Sequence, residues 1–184
     1  GNSVLGLRNN SLKMLAQALA EEGYASVRAD KRGVGASAPA APPESEHRFE
    51  SYVDDAVRWA IYVKELPRIR NVFLLGHSEG ALVATMAAQR FRAAGLVLVA
   101  GTGFRAPDIL RRQIAAPEAA MPENLLRETH ALLNALEQGK LVANVSTELH
   151  AAYRRSVQPY LISWFRYDPV SELTKLSMPT LIVQ

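Results

Sequence analysis

The sequence predicts an α/β protein: a mostly parallel sheet with helices on both faces, interrupted by a helical insertion. Two observations point there. From Ser11 to Ala100, short apolar runs alternate with segments of helical period, and from Phe104 to Tyr167 the runs stop and helical segments follow one another. The apolar runs are continuous, as in strands buried on both faces, and alternation with helices is the pattern of a parallel sheet. With 184 residues, 48% of them hydrophobic, the chain can bury one core, with or without an insertion.

Taken in order, Ser11 can cap a first helix whose apolar face is Leu12, Leu15, Ala16 and Leu19, and Gly23 can end it in a left-handed turn. Tyr24–Asp30 is expected as a strand running into a glycine loop, Lys31–Ser37. Gly33, Gly35 and Ala38 fit the spacing of a dinucleotide fingerprint, with Asp54 and Asp55 downstream. That fingerprint must open a helix, however, and Pro39, Pro42 and Pro43 stand against one, so a structural loop is the better reading.

Phe49–Lys64 forms a second helix with a buried stripe of Val53, Ala56, Val57, Ala60 and Ile61. Asp54 and Asp55 are adjacent on it, about 100° apart, so they do not converge on one atom and read as a solvated face.

Val72–Leu75 is the next buried strand. Gly76-His77-Ser78-Glu79-Gly80 follows as G-x-S-x-G, and an alanine-rich helix begins behind it. Strand, tight turn, serine and helix in that order have a mechanical meaning. The serine sits in a strained backbone conformation that lifts its hydroxyl above the sheet edge, and flanking glycines relieve the crowding. The helix N-terminus then directs N–H groups at the site, and the Glu79 N–H can serve an oxyanion. A glycine-serine turn that only joins two packed elements is the competing reading.

Gly95–Ala100 is another strand. Helices are then expected from Pro107, from Pro122 to Gln138 with Gly139 as the stop, from Thr147 to Arg155, and from Pro159. Their leucines and aromatics read chiefly as the insertion's own core, with lining of an acyl pocket as the alternative. Asp168-Pro169 starts a last helix, with Asp168 as N-cap, and Met178-Pro179 leads into a final strand.

Net charge is +3 and no Lys/Arg block is interleaved with aromatics, so nothing supports nucleic-acid binding. There is no cysteine, which leaves no thiolate metal site and fits a reducing, cytoplasmic setting. No apolar run reaches the length of a membrane span. No metal or organic cofactor is implied.

Two stretches carry a resemblance to the α/β-hydrolase family, and within it to bacterial carboxylesterase-like and serine-aminopeptidase-like members. Asp30–Ser37 is similar to that family's D-x-R-G-x-G-x-S loop, and Gly76–Gly80 to its nucleophile elbow. The resemblance implies a core in residues 1–103, a helical cap in 104–167 and the core again in 168–184. It implies Ser78 as the nucleophile and the Glu79 backbone N–H as half of an oxyanion hole. The second donor would come from the loop whose tail is near Gly1–Ser3. The acid and base would follow Gln184, so the chain is expected to be a piece of a longer serine hydrolase, nearly inactive alone. His47, His77, His130, His150, Asp108 and Asp168 are not expected to serve as triad members.

The substrate class the resemblance implies is a small or medium ester or acyl compound. A peptidase, thioesterase or acyltransferase on the same fold is the alternative, and a non-catalytic binding domain is the alternative of another class. Glu79 itself could select a cationic substrate group, or simply favour the helix N-terminus by its charge.

Overall fold

A computed structural model describes residues 10–116 and 120–184, together with the backbone of two short paired strands, β1 (Ser3–Val4) and β2 (Leu7–Arg8). The chain falls into two compact units, 1–42 and 43–184.

In the first unit, α1 (Ser11–Glu21) stops at Gly23, whose φ is +81°. Ser11 is the first helical residue; the capping position is Asn10, and its side chain makes no capping bond. Tyr24–Asp30 is not a strand. Among the described residues it has no ladder partner, and a strand without one leaves its backbone to water. Tyr24 and Val27 are accordingly half exposed. The glycine loop is built as a loop. The Asp30 carboxylate accepts from the Ala36 N–H at 3.2 Å, and a methyl on Gly35 would lie 2.3 Å from that carboxylate. The helix that follows, Gly35–Ala40, is a short 3-10 turn with Pro39 inside it.

The second unit is built on a parallel sheet in the order β3 (Phe73–His77), β4 (Gly95–Val99), β5 (Thr180–Val183). Phe73 faces Gly95 and His77 faces Val99; Leu96 faces Thr180 and Val99 faces Val183. The strands therefore end level with one another. Helix α3 (Glu79–Ala88) joins β3 to β4 and is the most buried helix, with Ala81–Thr85, Ala87 and Ala88 all inside. Small side chains let it lie close to the strands, where Ala81 and Ala84 pack on Leu96 and Leu98.

Helix α2 (Phe49–Glu65) packs its stripe of Phe49, Val53 and Val57 against Leu82, Val83 and Ala87 of α3. Each of the buried phenylalanine, valine and leucine side chains among them is worth about 1.5–3 kcal/mol of transfer free energy. Ile61, expected in that stripe, is 45% exposed, whereas its neighbour Ala60 is buried. Asp54 is not merely solvated: it pairs with Arg90 beyond the end of α3, at 2.6 Å.

Between β4 and β5 the chain is helical: α4 (Ala106–Ala115), α5 (Glu123–Glu137), α6 (His150–Tyr153), α7 (Gln158–Phe165) and α8 (Pro169–Leu173). The helix expected from Thr147 is a 3-10 turn over Thr147–Leu149 that passes into the single-turn α6. Leu132, Leu133, Leu136, Leu149, Tyr153, Leu161 and Phe165 make a separate hydrophobic core for this insertion. Gln158, wholly buried within it, accepts from the Val142 N–H and donates to the carbonyls of Val142 and Tyr153. Among the described residues no helix is long and apolar enough to cross a membrane.

Candidate active site

Ser78 stands at the carboxyl end of β3, with φ 55° and ψ −123°. No residue with a Cβ adopts this conformation without strain, about 1–3 kcal/mol, so the surroundings must impose it. They do so from both sides. The Ser78 N–H donates to the Val99 carbonyl at 2.9 Å, continuing the β3–β4 ladder, and its own carbonyl accepts from the Ala81 N–H at 2.9 Å, opening α3. The chain thus reverses from strand to helix within one residue.

The close approach that this reversal creates falls on Gly76. A methyl there would lie 2.1 Å from the Gly80 carbonyl oxygen and 2.7 Å from the Ala81 Cα. Gly80 is different: a methyl on it would meet no described heavy atom within 4 Å. The crowding at this turn is therefore relieved by the first glycine, and the second takes part through its backbone.

The neighbouring strand ends in a similar way. Ala100 also has a positive φ, 49°, as do Arg68 and Ala120 elsewhere, and its N–H donates to the Val183 carbonyl at 2.8 Å. Gly101 then packs on the first turn of α3, where a methyl on it would lie 2.8 Å from the Ala81 Cβ. The Gln184 side-chain amide donates to the Gly101 carbonyl at 2.7 Å. Ser78, Ala100 and Gln184 follow three level strands, at the carboxyl edge where open α/β sheets place their ligands.

Glu79 opens α3, and its N–H belongs to the first turn of a helix, where N–H groups have no acceptor within the helix. Its carboxylate accepts from the Tyr160 phenol of α7 at 2.8 Å. This contact comes in addition to the place the sequence suggested for the side chain, an acid in the first turn of a helix. Burial, followed by the adjacent Glu79 charge, pushes the Tyr160 phenol far above its usual range. Close by, Tyr167 donates to Glu50 at 2.6 Å, and burial and this bond push its phenol up to about 12. The Phe49 N–H, at the start of α2, donates to the Ser163 hydroxyl at 2.8 Å. Three polar contacts from 160–167 thus land on the elbow and on the beginning of α2. No local pattern marks them, since the partners lie 81, 114 and 117 residues apart in sequence.

The insertion's aromatics are not only its own core. Tyr160 and Trp164 touch both the insertion core and the α2–α3 core. His47 stacks on Tyr160 with centroids 5.3 Å apart.

The remaining titratable residues stand as follows. His77 closes β3 and is exposed. His130 lies in α5, and a ring nitrogen of His150 is 2.8 Å from the Val145 carbonyl. Asp108 is in the first turn of α4, and Asp168 caps α8 by accepting from the Ser171 N–H at 2.8 Å. Gly1 and Asn2, near the expected second oxyanion donor, lie outside the described residues. Among the described residues no three His, Asp or Glu side chains group as a metal site would need.

Comparison with known proteins agrees with this architecture. No curated protein matches the chain. Among solved structures, an extracellular α/β-hydrolase from a Paenibacillus species, described as sharing structural and functional homology with tobacco salicylic acid binding protein 2, superposes with a TM-score of 0.51. It is 18% identical, over 94% of this chain and 71% of that one. The N-acyl homoserine lactonase AidH, solved with N-butanoyl homoserine, is 13% identical over 76% of this chain and 52% of that one, with a TM-score of 0.40. The family model described as "Serine aminopeptidase, S33" matches residues 8–182. With nearly its whole length inside that match, the chain belongs to this family of α/β-hydrolases.

Proposed function

We propose that the protein is a serine hydrolase that cleaves a carboxylic ester of a small or medium acyl substrate through an acyl-enzyme at Ser78. The observation that carries the proposal is the backbone of Ser78, held at φ 55° and ψ −123° between β3 and α3. Strain of this kind persists only where the surroundings impose it, and it concentrates at functional sites.

In the proposed reaction the Ser78 hydroxyl loses its proton to a general base and its oxygen attacks the ester carbonyl. The carbonyl electrons move onto oxygen, and the Glu79 N–H stabilises the resulting oxyanion. Collapse expels the alcohol and leaves Ser78 acylated; water then releases the acid by the same steps. A well-placed oxyanion donor contributes about 10²–10³ in kcat. Residues 104–167 would act as a cap whose inner surface selects the acyl group. Its packing on α2 and α3 through Tyr160 and Trp164 supports that role.

A peptidase is the second reading, favoured by the name of the family whose model matches. Ester and amide cleavage share the nucleophile and differ in the leaving group that must be protonated.

The test is hydrolysis of p-nitrophenyl butyrate and of an aminoacyl p-nitroanilide by the natural protein, beside its Ser78→Ala variant. Ester turnover that falls by several orders of magnitude in the variant is the expected result. Turnover of the anilide alone would replace esterase by peptidase. Activity unchanged by the substitution would remove Ser78 from the reaction.

A further inference from the structure

We infer that Tyr160 is a positioning residue for the elbow, acting through the Glu79 carboxylate on the backbone N–H that would receive the oxyanion. The inference rests on the serine-hydrolase reading and adds a residue to it.

Glu79 belongs to two places at once. Its main chain is the first residue of α3, directly after the strained Ser78, and its carboxylate is 2.8 Å from a phenol in the inserted helices. A residue at the first helical position has an N–H with no i−4 carbonyl to orient it. The side chain is then a handle by which the surrounding structure can restrict the Ser78–Glu79 peptide plane. Oxyanion donors act only when they are fixed beforehand at the position where charge develops, so such a restriction has a kinetic value.

The anchor at the other end is rigid. Tyr160 is packed against His47, Tyr52, Phe49 and Trp164, with centroids 5.3, 5.9, 6.4 and 6.2 Å away. Its carbonyl accepts from the Ser163 hydroxyl at 2.7 Å, and that hydroxyl accepts from the Phe49 N–H. Ring and backbone are therefore both referenced to the start of α2, and the phenol oxygen is delivered to Glu79 from a fixed platform. The same bond engages the Glu79 carboxylate in an intramolecular contact, which argues against its being offered to a substrate cation.

The experiment is a double-mutant cycle on kcat and KM for p-nitrophenyl butyrate in the natural protein. Tyr160→Phe keeps the ring and its packing and removes only the donor; Glu79→Ala removes the acceptor. Each single change should lower kcat by about tenfold with KM within about twofold, as for a donor moved but not lost. The loss in the double variant should be smaller than the product of the two single losses, since the two changes share one contact. Glu79→Gln, whose amide oxygen can still accept, should lose less than Glu79→Ala. Urea midpoints measured on the same samples ensure that kcat is read on folded protein. Native kcat in Tyr160→Phe, or single losses that multiply in the double variant, would overturn the inference. If Ser78→Ala silences the enzyme while Tyr160→Phe does not change it, only this inference fails. If Ser78→Ala leaves turnover intact, the hydrolase reading fails and this inference with it.

Discussion

Gly76 and Gly80 meet across the elbow: the Gly80 carbonyl oxygen occupies the space that a Cβ on Gly76 would need, 2.1 Å away. Both partners in that overlap are backbone, so no side-chain rotation relieves it. Gly76→Ala should cost more than about 3 kcal/mol or abolish folding, the range of severe overpacking. Gly80→Ala should leave the urea midpoint unchanged or raise it. The added methyl meets no described atom within 4 Å, and alanine is favoured over glycine in a helix by about 1 kcal/mol. Unfolding curves of the two variants side by side decide the matter; equal damage from both would contradict this asymmetry.

Ser163 is fully buried and takes the N–H that opens α2. Ser163→Ala would leave that N–H, on the wholly buried Phe49, without its partner. A loss of about 1–3 kcal/mol is expected, the cost of an unsatisfied buried donor. Urea denaturation followed by tryptophan fluorescence measures it, since Trp164 lies in the same aromatic cluster. A loss of only a few tenths of a kcal/mol would show that water replaces the hydroxyl.

Alkaline pH should weaken the fold. An unfolded tyrosine titrates near pH 10, whereas Tyr167 titrates at about 12 in the fold and Tyr160 higher still. Below pH 10 both states hold these protons and the stabilisation is complete. Above it the unfolded chain releases them first, so stability declines as pH rises through about 10 to 12. Tyr160→Phe and Tyr167→Phe should each flatten that decline. Unfolding free energies at pH 8, 10 and 11 test the slope, and a profile identical in wild type and both variants would refute the assignment.

Asp168→Ala should cost about 1 kcal/mol through loss of the α8 cap. The bond from the Ser171 N–H holds the Asp168 carboxyl below its usual range. Its contribution is therefore present above about pH 4 and is lost as pH falls through the lower folded value. The difference between wild type and variant, read from urea midpoints, should be constant from pH 5 to 7 and shrink in acid. A difference that persists unchanged at pH 2 would contradict the capping role.

The elbow was legible because its determinants are local. The apolar strand, the glycine at 76, the serine and the alanine-rich helix lie within twenty consecutive residues, and each acts on its neighbours. Helix starts at Pro107, Pro159 and Asp168 could be read for the same reason. Tyr24–Asp30 was misread because strand formation depends on a ladder partner, which composition does not specify. Ile61 had the right period but is exposed, while the adjacent Ala60 is buried. The Tyr160–Glu79, Tyr167–Glu50 and Ser163–Phe49 contacts were invisible because each depends on how α7 is seated, a tertiary outcome. The symmetric view of the two elbow glycines also failed. The motif fixes residue types, while only the backbone geometry distinguishes the glycine that must lack a Cβ from the one that need not.

The insertion has a leucine and aromatic core of its own and reaches the elbow and the start of α2 through three hydrogen bonds and a small set of rings. Leu132, Leu133 and Leu136 belong to that core, and Tyr160 and Trp164 join it to α2 and α3. In evolutionary terms the two parts can drift at different rates, with the inserted helices diversifying while the turn beneath them stays as it is. The narrow seam between them is where change should be slowest.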